Sequence, residues 1–151
     1  MVEMAFVLGL LVMLLVGVVT SAIAFGQKNS IENAAREASR YAATLPFDTA
    51  DPTGWLTTVK DVAQAAAQGD LADTVPGQYI CVAYINPPVT QSLEVNGGTP
   101  SEPDTQCFAD GLPADEPRVQ VVTGREAEIQ AVFFTATIDI DAPAAARYER
   151  N

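Results

Sequence analysis

Histidine is absent from the 151 residues of this chain. The commonest general base, proton shuttle and zinc ligand is therefore missing, which excludes most hydrolase triads and histidine metal sites. Basic side chains are scarce as well, because 8 Lys and Arg stand against 19 Asp and Glu and the formal net charge is −11. So acidic a chain repels phosphate backbones, and we expect no nucleic-acid partner.

Charged side chains of either sign are missing from residues 4–27. This uncharged run is longer than the roughly 20 apolar residues that cross a bilayer. A secretory signal would instead begin with basic residues and carry a shorter apolar run of about 7 to 15 residues. We therefore predict a transmembrane helix over residues 1–27 and an extracytoplasmic domain over residues 28–151.

The helical pattern continues beyond the apolar run. Small and apolar residues recur at spacings of three and four, which is typical of one buried helix face. Pro46 ends the pattern. The sequence thus predicts a single helix over residues 3–45, roughly 65 Å long by helix geometry, with residues 28–45 as its amphipathic continuation. The predicted buried face consists of Ile31, Ala34, Ala35, Ala38, Tyr41, Ala42 and Leu45.

Residues 46–151 are predicted to hold a second helix, a small sheet and a proline-rich loop. Asp51 followed by Pro52 is a good helix start, and the pattern predicts a helix over residues 52–68. We expect its Trp55 and Leu56 to pack on the sheet rather than bind a ligand. Residues 78–86 are apolar on both alternating faces, which is typical of a central strand covered on both sides.

The C-terminal third predicts further strands. Residues 118–123 have a strand pattern that ends at Gly124, and residues 125–132 form either a short amphipathic helix or a strand with a bend. Residues 134–141 alternate most clearly, and Pro143 places this strand at a sheet edge or interrupts it. Its predicted buried face consists of Phe134, Ala136, Ile138 and Ile140.

The two cysteines, Cys81 and Cys107, are each other's obvious partner. Residues 87–117 hold six prolines and a Gly97-Gly98 pair and are predicted to form a long loop, which is unusual unless it is tied down. A Cys81–Cys107 disulfide would close a ring of about 27 residues and indicates an oxidising, extracytoplasmic compartment. The alternative is two unrelated buried thiols.

Sites for chemistry are hard to find. Asp139 and Asp141 share a strand face, but a calcium-binding loop with regularly spaced acids and a turn glycine is missing around them. Two cysteines are too few soft ligands for a zinc site. The glycines lack phosphate-loop spacing, and no serine lies in a nucleophile elbow. We therefore expect no metal, no cofactor and no enzymatic activity. The fold class predicted from these elements is α+β, with a long N-terminal helix packed on a small antiparallel sheet.

The two ends of the chain resemble one family. The start Met-Val-Glu-Met-Ala-Phe-Val-Leu, the Leu/Val run, Phe25-Gly26 and the Ala-rich helix resemble the TadE-like proteins, which are minor pilins or pseudopilins of the tight-adherence (Flp, type IVc) pilus system. Ala131-Val-Phe-Phe, the following Thr-Ala-Thr-Ile and the ending Ala144-Ala-Ala-Arg-Tyr-Glu149 are similar to the closing strand of that family. The middle of the chain is unmatched.

The resemblance implies a pilin-like fold and a structural role. It implies a minor pilin or pseudopilin that helps to assemble, prime or cap a pilus, with other pilins, the assembly machinery and the lipid bilayer as partners. In type IV pilins the fifth residue of the mature chain is Glu, which corresponds to Glu3. Because the count falls two short, we expect that the chain is recorded from an internal methionine or that its leader and two mature residues are absent.

Helix packing is the expected mechanism. Glu3 either pairs with the terminal amine of a neighbouring copy or remains hydrated at the helix start, where it favours the positive end of the helix dipole. Gly9 and Gly17 allow a close approach of helices.

A single-span membrane protein that binds a partner through its proline-rich loop, without polymerising, is the alternative function. A membrane-tethered enzyme is the least supported. Lys28, Arg36 and Arg40 follow the span, so positive-inside counting would place the domain in the cytoplasm. The cysteine pair and the family resemblance indicate the opposite, and we follow them.

Overall fold

The computed structural model describes residues 2–101, 106–113, 116–130 and 135–148, without the side chains of residues 2, 3, 5, 6, 100 and 130. Within these ranges the chain forms two helices and one five-stranded antiparallel sheet. The elements are α1 (Val2–Thr44), α2 (Pro52–Ala66), β1 (Tyr79–Asn86), β2 (Val89–Asn96), β3 (Thr99–Ser101), β4 (Arg118–Gln130) and β5 (Thr135–Arg147). This arrangement confirms the predicted α+β class.

Helix α1 is continuous over 43 residues, which confirms the predicted single long helix. Its buried stripe begins at Ile31 and continues through alanines that let the helix lie close to the sheet. Tyr41 was predicted on this stripe but is 40% exposed. The tyrosine ring is too large for the close contact that Ala38 and Ala42 make in the core, so Tyr41 lies at the edge of the buried stripe. The fully or almost fully buried residues of the stripe are Ile31, Ala34, Ala35, Ala38 and Ala42.

Helix α2 begins where the sequence predicted. The Asp51 carboxylate accepts a hydrogen bond from the Gly54 N–H at 2.9 Å and caps the helix, with Pro52 as its first residue. Trp55 and Leu56 are buried in the core between the helices and the sheet, as expected. The helix ends at Ala66, two residues before the predicted end.

The sheet has the strand order β3-β2-β1-β4-β5. Strand β1 is central and buried along almost its whole length, as predicted. Ile80, Val82 and Tyr84 face the two helices and form the core with Val119 and Val121 of β4. The other face of β1 carries Cys81, Ala83 and Ile85, which are buried although no helix covers them. That face is covered by the irregular segment before β4.

The prediction of one long loop over residues 87–117 was wrong. Strands β2 and β3 lie inside this range, and β2 pairs with β1 over its full length. Four of the prolines and glycines that suggested a loop lie instead in the short connections between strands. Pro87 and Pro88 connect β1 to β2, and Gly97 and Gly98 have positive φ values of 55° and 79° in the two-residue turn before β3. The alternation of apolar and polar side chains over residues 89–96 is the pattern that could have predicted β2, but the flanking turn residues obscured it.

Strand β4 does not end at Gly124 but continues to Gln130, so the strand alternative for residues 125–130 is confirmed. Gly124 has a packing role within the strand. A Cβ atom there would lie 3.2 Å from Cδ1 of Tyr79 and 2.6 Å from a carboxylate oxygen of Asp141. Residues 131–134, which include Phe134 and the Ala131-Val-Phe-Phe motif, lie outside the described residues.

Strand β5 lies at the sheet edge, as Pro143 predicted, and runs through that proline without interruption. Its predicted buried face is only partly confirmed. Ile140 is 7% exposed, but Ile138 is 38% exposed. The reason is that β1 pairs with β4 only as far as Gly124 in the described residues, so the distal parts of β4 and β5 lack a third strand beside them.

An aromatic cluster closes the end of the domain where α1 stops. Phe47 and Tyr84 stack with ring centroids 3.7 Å apart, and Tyr148 packs edge-on against Tyr84 at 5.2 Å. The Tyr148 hydroxyl accepts the Phe47 N–H at 2.8 Å and donates to the Leu45 carbonyl at 3.3 Å. The end of the closing strand is thus bonded to the end of α1.

Candidate functional site

The N-terminal half of α1 projects from the domain and is exposed. Its most apolar 18-residue stretch has a mean hydropathy of 2.7, and only 6% of that stretch is buried. By length and composition α1 can cross a membrane. Exposed apolar surface costs about 25 cal/mol per Å² in water, so this half requires lipid or other helices around it. Its exposed side chains include Leu8, Leu11, Leu14, Leu15, Val18, Val19, Ile23 and Phe25.

The predicted packing residues all lie on this projecting half. The backbone of Glu3 belongs to α1, but its side chain lies outside the described residues, so its pairing stays a prediction. Apart from the adjacent backbone of α1, no atom lies within 4 Å of the position that a Cβ would occupy at Gly9 or Gly17. The surface at both glycines is therefore open to another helix, and contact there also stays a prediction.

A groove separates α1 from the edge strand near the base of the projecting half. Its volume is about 490 Å³. One wall comes from α1 and includes Phe25 and Lys28, and the other comes from the far parts of β4 and β5. The strand wall is formed by Ile129, Ile138, Asp139, Ile140 and Asp141.

Cys81 and Cys107 are bonded to each other, with their Cα atoms 5.8 Å apart. The predicted pairing is thus confirmed. Cys81 lies on the face of β1 that no helix covers, and Cys107 lies in the irregular segment over that face. The bond therefore attaches the segment to the centre of the sheet.

A buried ion pair fastens the same segment a second time. Arg118 donates from Nε and an Nη atom to the two Asp110 carboxylate oxygens at 2.7 and 3.1 Å, which is the bidentate geometry of a strong pair. The side chains are 1% and 8% exposed. The other Nη atom of Arg118 donates to the carbonyls of Pro113 and Glu116 at 2.8 and 2.9 Å.

Gln120 completes this network. Its amide nitrogen donates to Asp110 at 2.7 Å and to the Phe108 carbonyl at 3.0 Å, and its oxygen accepts the Cys107 N–H at 3.1 Å. The carboxylate, the guanidinium and the amide thus satisfy one another and the backbone of the loop. Arg118, Asp110 and Gln120, together with the disulfide, hold residues 106–113 against the sheet.

The environment of Asp110 favours its charged form. Burial of the carboxyl would raise its pKa, but hydrogen bonds from Gln120, the Leu112 N–H and Arg118, together with the Arg118 charge, outweigh burial and lower it. Tyr79 behaves in the opposite way. Burial and the nearby carboxylates of Glu94 and Asp141 raise its pKa, because both disfavour the phenolate. Asp110 is therefore charged and binds Arg118 as an ion pair, whereas Tyr79 stays neutral.

Sequence reasoning missed the Asp110–Arg118–Gln120 network. The alternation of β4 placed Arg118 and Gln120 on the same face, but nothing in the pattern showed that this face was covered. Asp139 and Asp141 are exposed on β5. In the part of the chain that the structure describes, no group of three or more His, Cys, Asp or Glu side chains is arranged to hold a metal ion.

Fold and site together define an α+β protein with a candidate N-terminal membrane anchor and a disulfide-bonded domain. Residues 1–40 match the model of the family described as TadE-like protein, which confirms the resemblance over most of α1. TadE-like proteins are associated with the Tad pilus and are generally structural, and the match covers about a quarter of this chain. No curated protein and no solved structure matches the chain. The match does not reach the C-terminal residues that carried the rest of the resemblance.

Proposed function

We propose that this chain is a non-enzymatic minor pilin or pseudopilin, which helps to assemble, prime or cap a Tad-type (type IVc) pilus by packing its N-terminal helix beside those of other subunits. The observation that carries this proposal is the division of α1. One half is an exposed apolar helix within the family match, and the other half is the alanine-lined backbone of a folded domain. Such a helix has an anchor for the bilayer and a packing surface for a filament.

The proposed setting is the bacterial cell membrane, crossed once by α1, with residues 28–151 outside the cytoplasm. The Cys81–Cys107 bond supports this side of the membrane, because disulfides persist in oxidising compartments. Other pilins, pseudopilins and the assembly machinery are the proposed partners. The disulfide and the ion pair also weaken the alternative of a binding protein, because the loop that would capture a ligand is clamped to the sheet.

Glu3 is the residue on which assembly depends most. In a bundle of apolar helices its carboxylate loses water and stays charged only beside a cation, and no Lys or Arg precedes Lys28. The terminal amine of a neighbouring subunit is the proposed cation. This pairing would set the register between adjacent helices.

Complementation of a deletion strain tests the proposal, scored by pilus counts and by the amount of protein in the membrane. Glu3→Gln keeps the shape and removes the charge, so we expect normal membrane levels and loss of pilus assembly. Glu3→Ala should behave in the same way, whereas Glu3→Asp should retain part of the function. Normal piliation by the Gln variant at normal membrane levels would show that Glu3 is only a hydrated residue at the helix start.

A further inference from the structure

Beyond the pair formed by Tyr79 and Gly124, β4 and β5 continue without β1 as a two-stranded ribbon. The ribbon pairs Arg125 with Ile140 at its base and Gln130 with Thr135 at its described end. Its six residue pairs span about 20 Å of extended chain. A lone two-stranded ribbon is at best marginally stable in water. The ribbon therefore depends on whatever lies against it.

One face of the ribbon lies on α1, at the level of the uncharged run. Ala127 is buried there, and Ile129 and Ile138 line the same groove as Ser21 and Phe25. On the other side of the helix, Ile23 and Gln27 line a second hollow together with Glu128 and Thr137. The end of the ribbon thus lies beside residues 21–27, which belong to the segment that can cross a membrane.

The groove between α1 and the ribbon becomes more exposed to solvent toward the distal end of the ribbon. On the helix-facing side of β5 the exposed fraction rises from 7% at Ile140 to 38% at Ile138. Phe25, across the groove, is 66% exposed. In the sequence, residues 129–138 carry no charged side chain, as residues 4–27 carry none. Ile129 and Ile138, the first and last residues of the second stretch, therefore lie across the groove from Phe25, near the end of the first stretch.

We propose that the end of this ribbon is a second membrane contact, in which lipid at the bilayer surface fills the groove between Ile129, Ile138 and Phe25. The inference rests on the membrane insertion of α1 that the proposed function also requires. Lipid is the occupant because the groove is continuous with the exposed apolar surface of the span. Apolar interfacial side chains enter a bilayer by about 5–10 Å, a depth that leaves the charges bordering the groove among the headgroups.

The electrostatics select the kind of lipid. Asp139 and Asp141 outnumber Lys28 among the charged residues that line the groove, and Glu126 lies directly opposite Asp139 in the ribbon, so the border of the groove is net acidic. An acidic rim repels anionic headgroups. The contact therefore fits a zwitterionic surface, with apolar side chains providing the affinity.

Quenching of tryptophan emission by brominated phosphatidylcholine in vesicles tests this contact in the full chain. Ile138→Trp places a probe at the ribbon, Phe25→Trp places one in α1, and Thr58→Trp places one on the exposed side of α2 as the control. The native Trp55 is 4% exposed within the core, so its emission is subtracted with the unsubstituted protein. We expect Ile138→Trp to lose emission to bromines near the headgroups almost as strongly as Phe25→Trp, while Thr58→Trp keeps its emission.

The outcomes separate this inference from the proposed function. Quenching of Phe25→Trp without quenching of Ile138→Trp overturns the lipid contact and leaves the anchor intact, whereas failure of both overturns both. Quenching of Ile138→Trp that disappears as protein is concentrated in the vesicles shows a second copy in the groove, which also overturns lipid as the occupant. Should Ile138→Trp misfold, Ile129→Trp on the neighbouring strand decides the result by the same comparison.

Discussion

Arg118 and Asp110 form a bidentate ion pair, at 2.7 and 3.1 Å, on the face of the sheet opposite the two helices. Cys107, three residues before Asp110, is bonded to Cys81 of β1. The irregular segment before β4 is therefore attached to the sheet by a covalent bond and an ion pair that lie close together in the sequence. This double attachment replaces the second layer of helices that the buried outer face of β1 would otherwise need.

Arg118→Met should lower the free energy of unfolding by about 3–5 kcal/mol, because it leaves the Asp110 carboxylate buried without its cation. The matched control is Arg147→Met, which removes the ion pair with Glu116. Arg147 is 82% exposed, and a surface pair of this kind contributes only about 0–1 kcal/mol. Urea unfolding of the full chain in detergent measures both variants. Equal losses of unfolding free energy in the two variants would show that the buried Arg118–Asp110 pair stabilises the fold no more than the surface pair does.

Acid should unfold the protein partly through Asp110. The pKa of this carboxyl is lowered in the folded chain, so its stabilising contribution is complete above the unfolded value of about 3.9 and is lost as pH falls through the folded pKa. Asp110→Asn should be less stable at neutral pH but should lose less further stability on acidification. Unfolding free energies measured from neutral to acid pH give the two slopes. Asp61→Asn, at a 62% exposed carboxylate, is the control, and a wild-type slope for Asp110→Asn would contradict the assignment.

Loss of the disulfide should destabilise the domain by about 3.5 kcal/mol, the chain-entropy value for a ring of about 27 residues. The Cys81→Ser, Cys107→Ser double variant tests this by thermal unfolding, with reductant added to the unsubstituted chain as a second route to the same state. Mass spectrometry of non-reduced digests from the native host gives the pairing itself. Free thiols in that material would remove the support for an extracytoplasmic domain.

Bulk at Gly9 and Gly17 should weaken association between helices without affecting the fold. Because no atom other than the adjacent backbone of α1 lies within 4 Å of a Cβ at either position, Gly9→Leu and Gly17→Leu should not destabilise the single chain. Energy transfer between labelled copies in vesicles should fall for both. Val12→Leu adds bulk on the same helix without filling a gap at a glycine and is the control. Undiminished transfer in the glycine variants would place the packing surface elsewhere on α1.

Removal of residues 1–27 should give a soluble, monomeric domain, because it deletes the exposed apolar half of α1. The contact between α1 and the ribbon adds a second expectation. Thr20, Ala24 and Gln27 are half-buried, so a fragment that starts at Lys28 should lose amide protection in the distal part of β4 relative to one that starts at Gly17. Light scattering and hydrogen exchange measure the two effects. A stable oligomer of the shorter fragment would place the self-association surface in the domain.

Local patterns predicted the elements whose surroundings match their periodicity. The long helix, the capped α2 and the doubly buried β1 have clear three-to-four or two-residue repeats. Patterns failed where chain-distant partners decide the outcome. The exposure of Ile138 depends on where β1 stops pairing, and the burial of Arg118 depends on a carboxylate eight residues away in an irregular segment. Neither the exposure of Ile138 nor the burial of Arg118 produces a periodic pattern in the sequence.

The unbroken course of α1 from Val2 to Thr44 joins the domain rigidly to the proposed membrane anchor. Any tilt of the helix in the bilayer turns the whole domain through the same angle. At the common tilt of about 20°, the helical arm beyond Lys28, about 25 Å long by helix geometry, moves its far end sideways by about 9 Å. A force applied to the aromatic cluster would be transmitted along the axis of α1 to its membrane-spanning part, because α1 contains no loop that could extend between them.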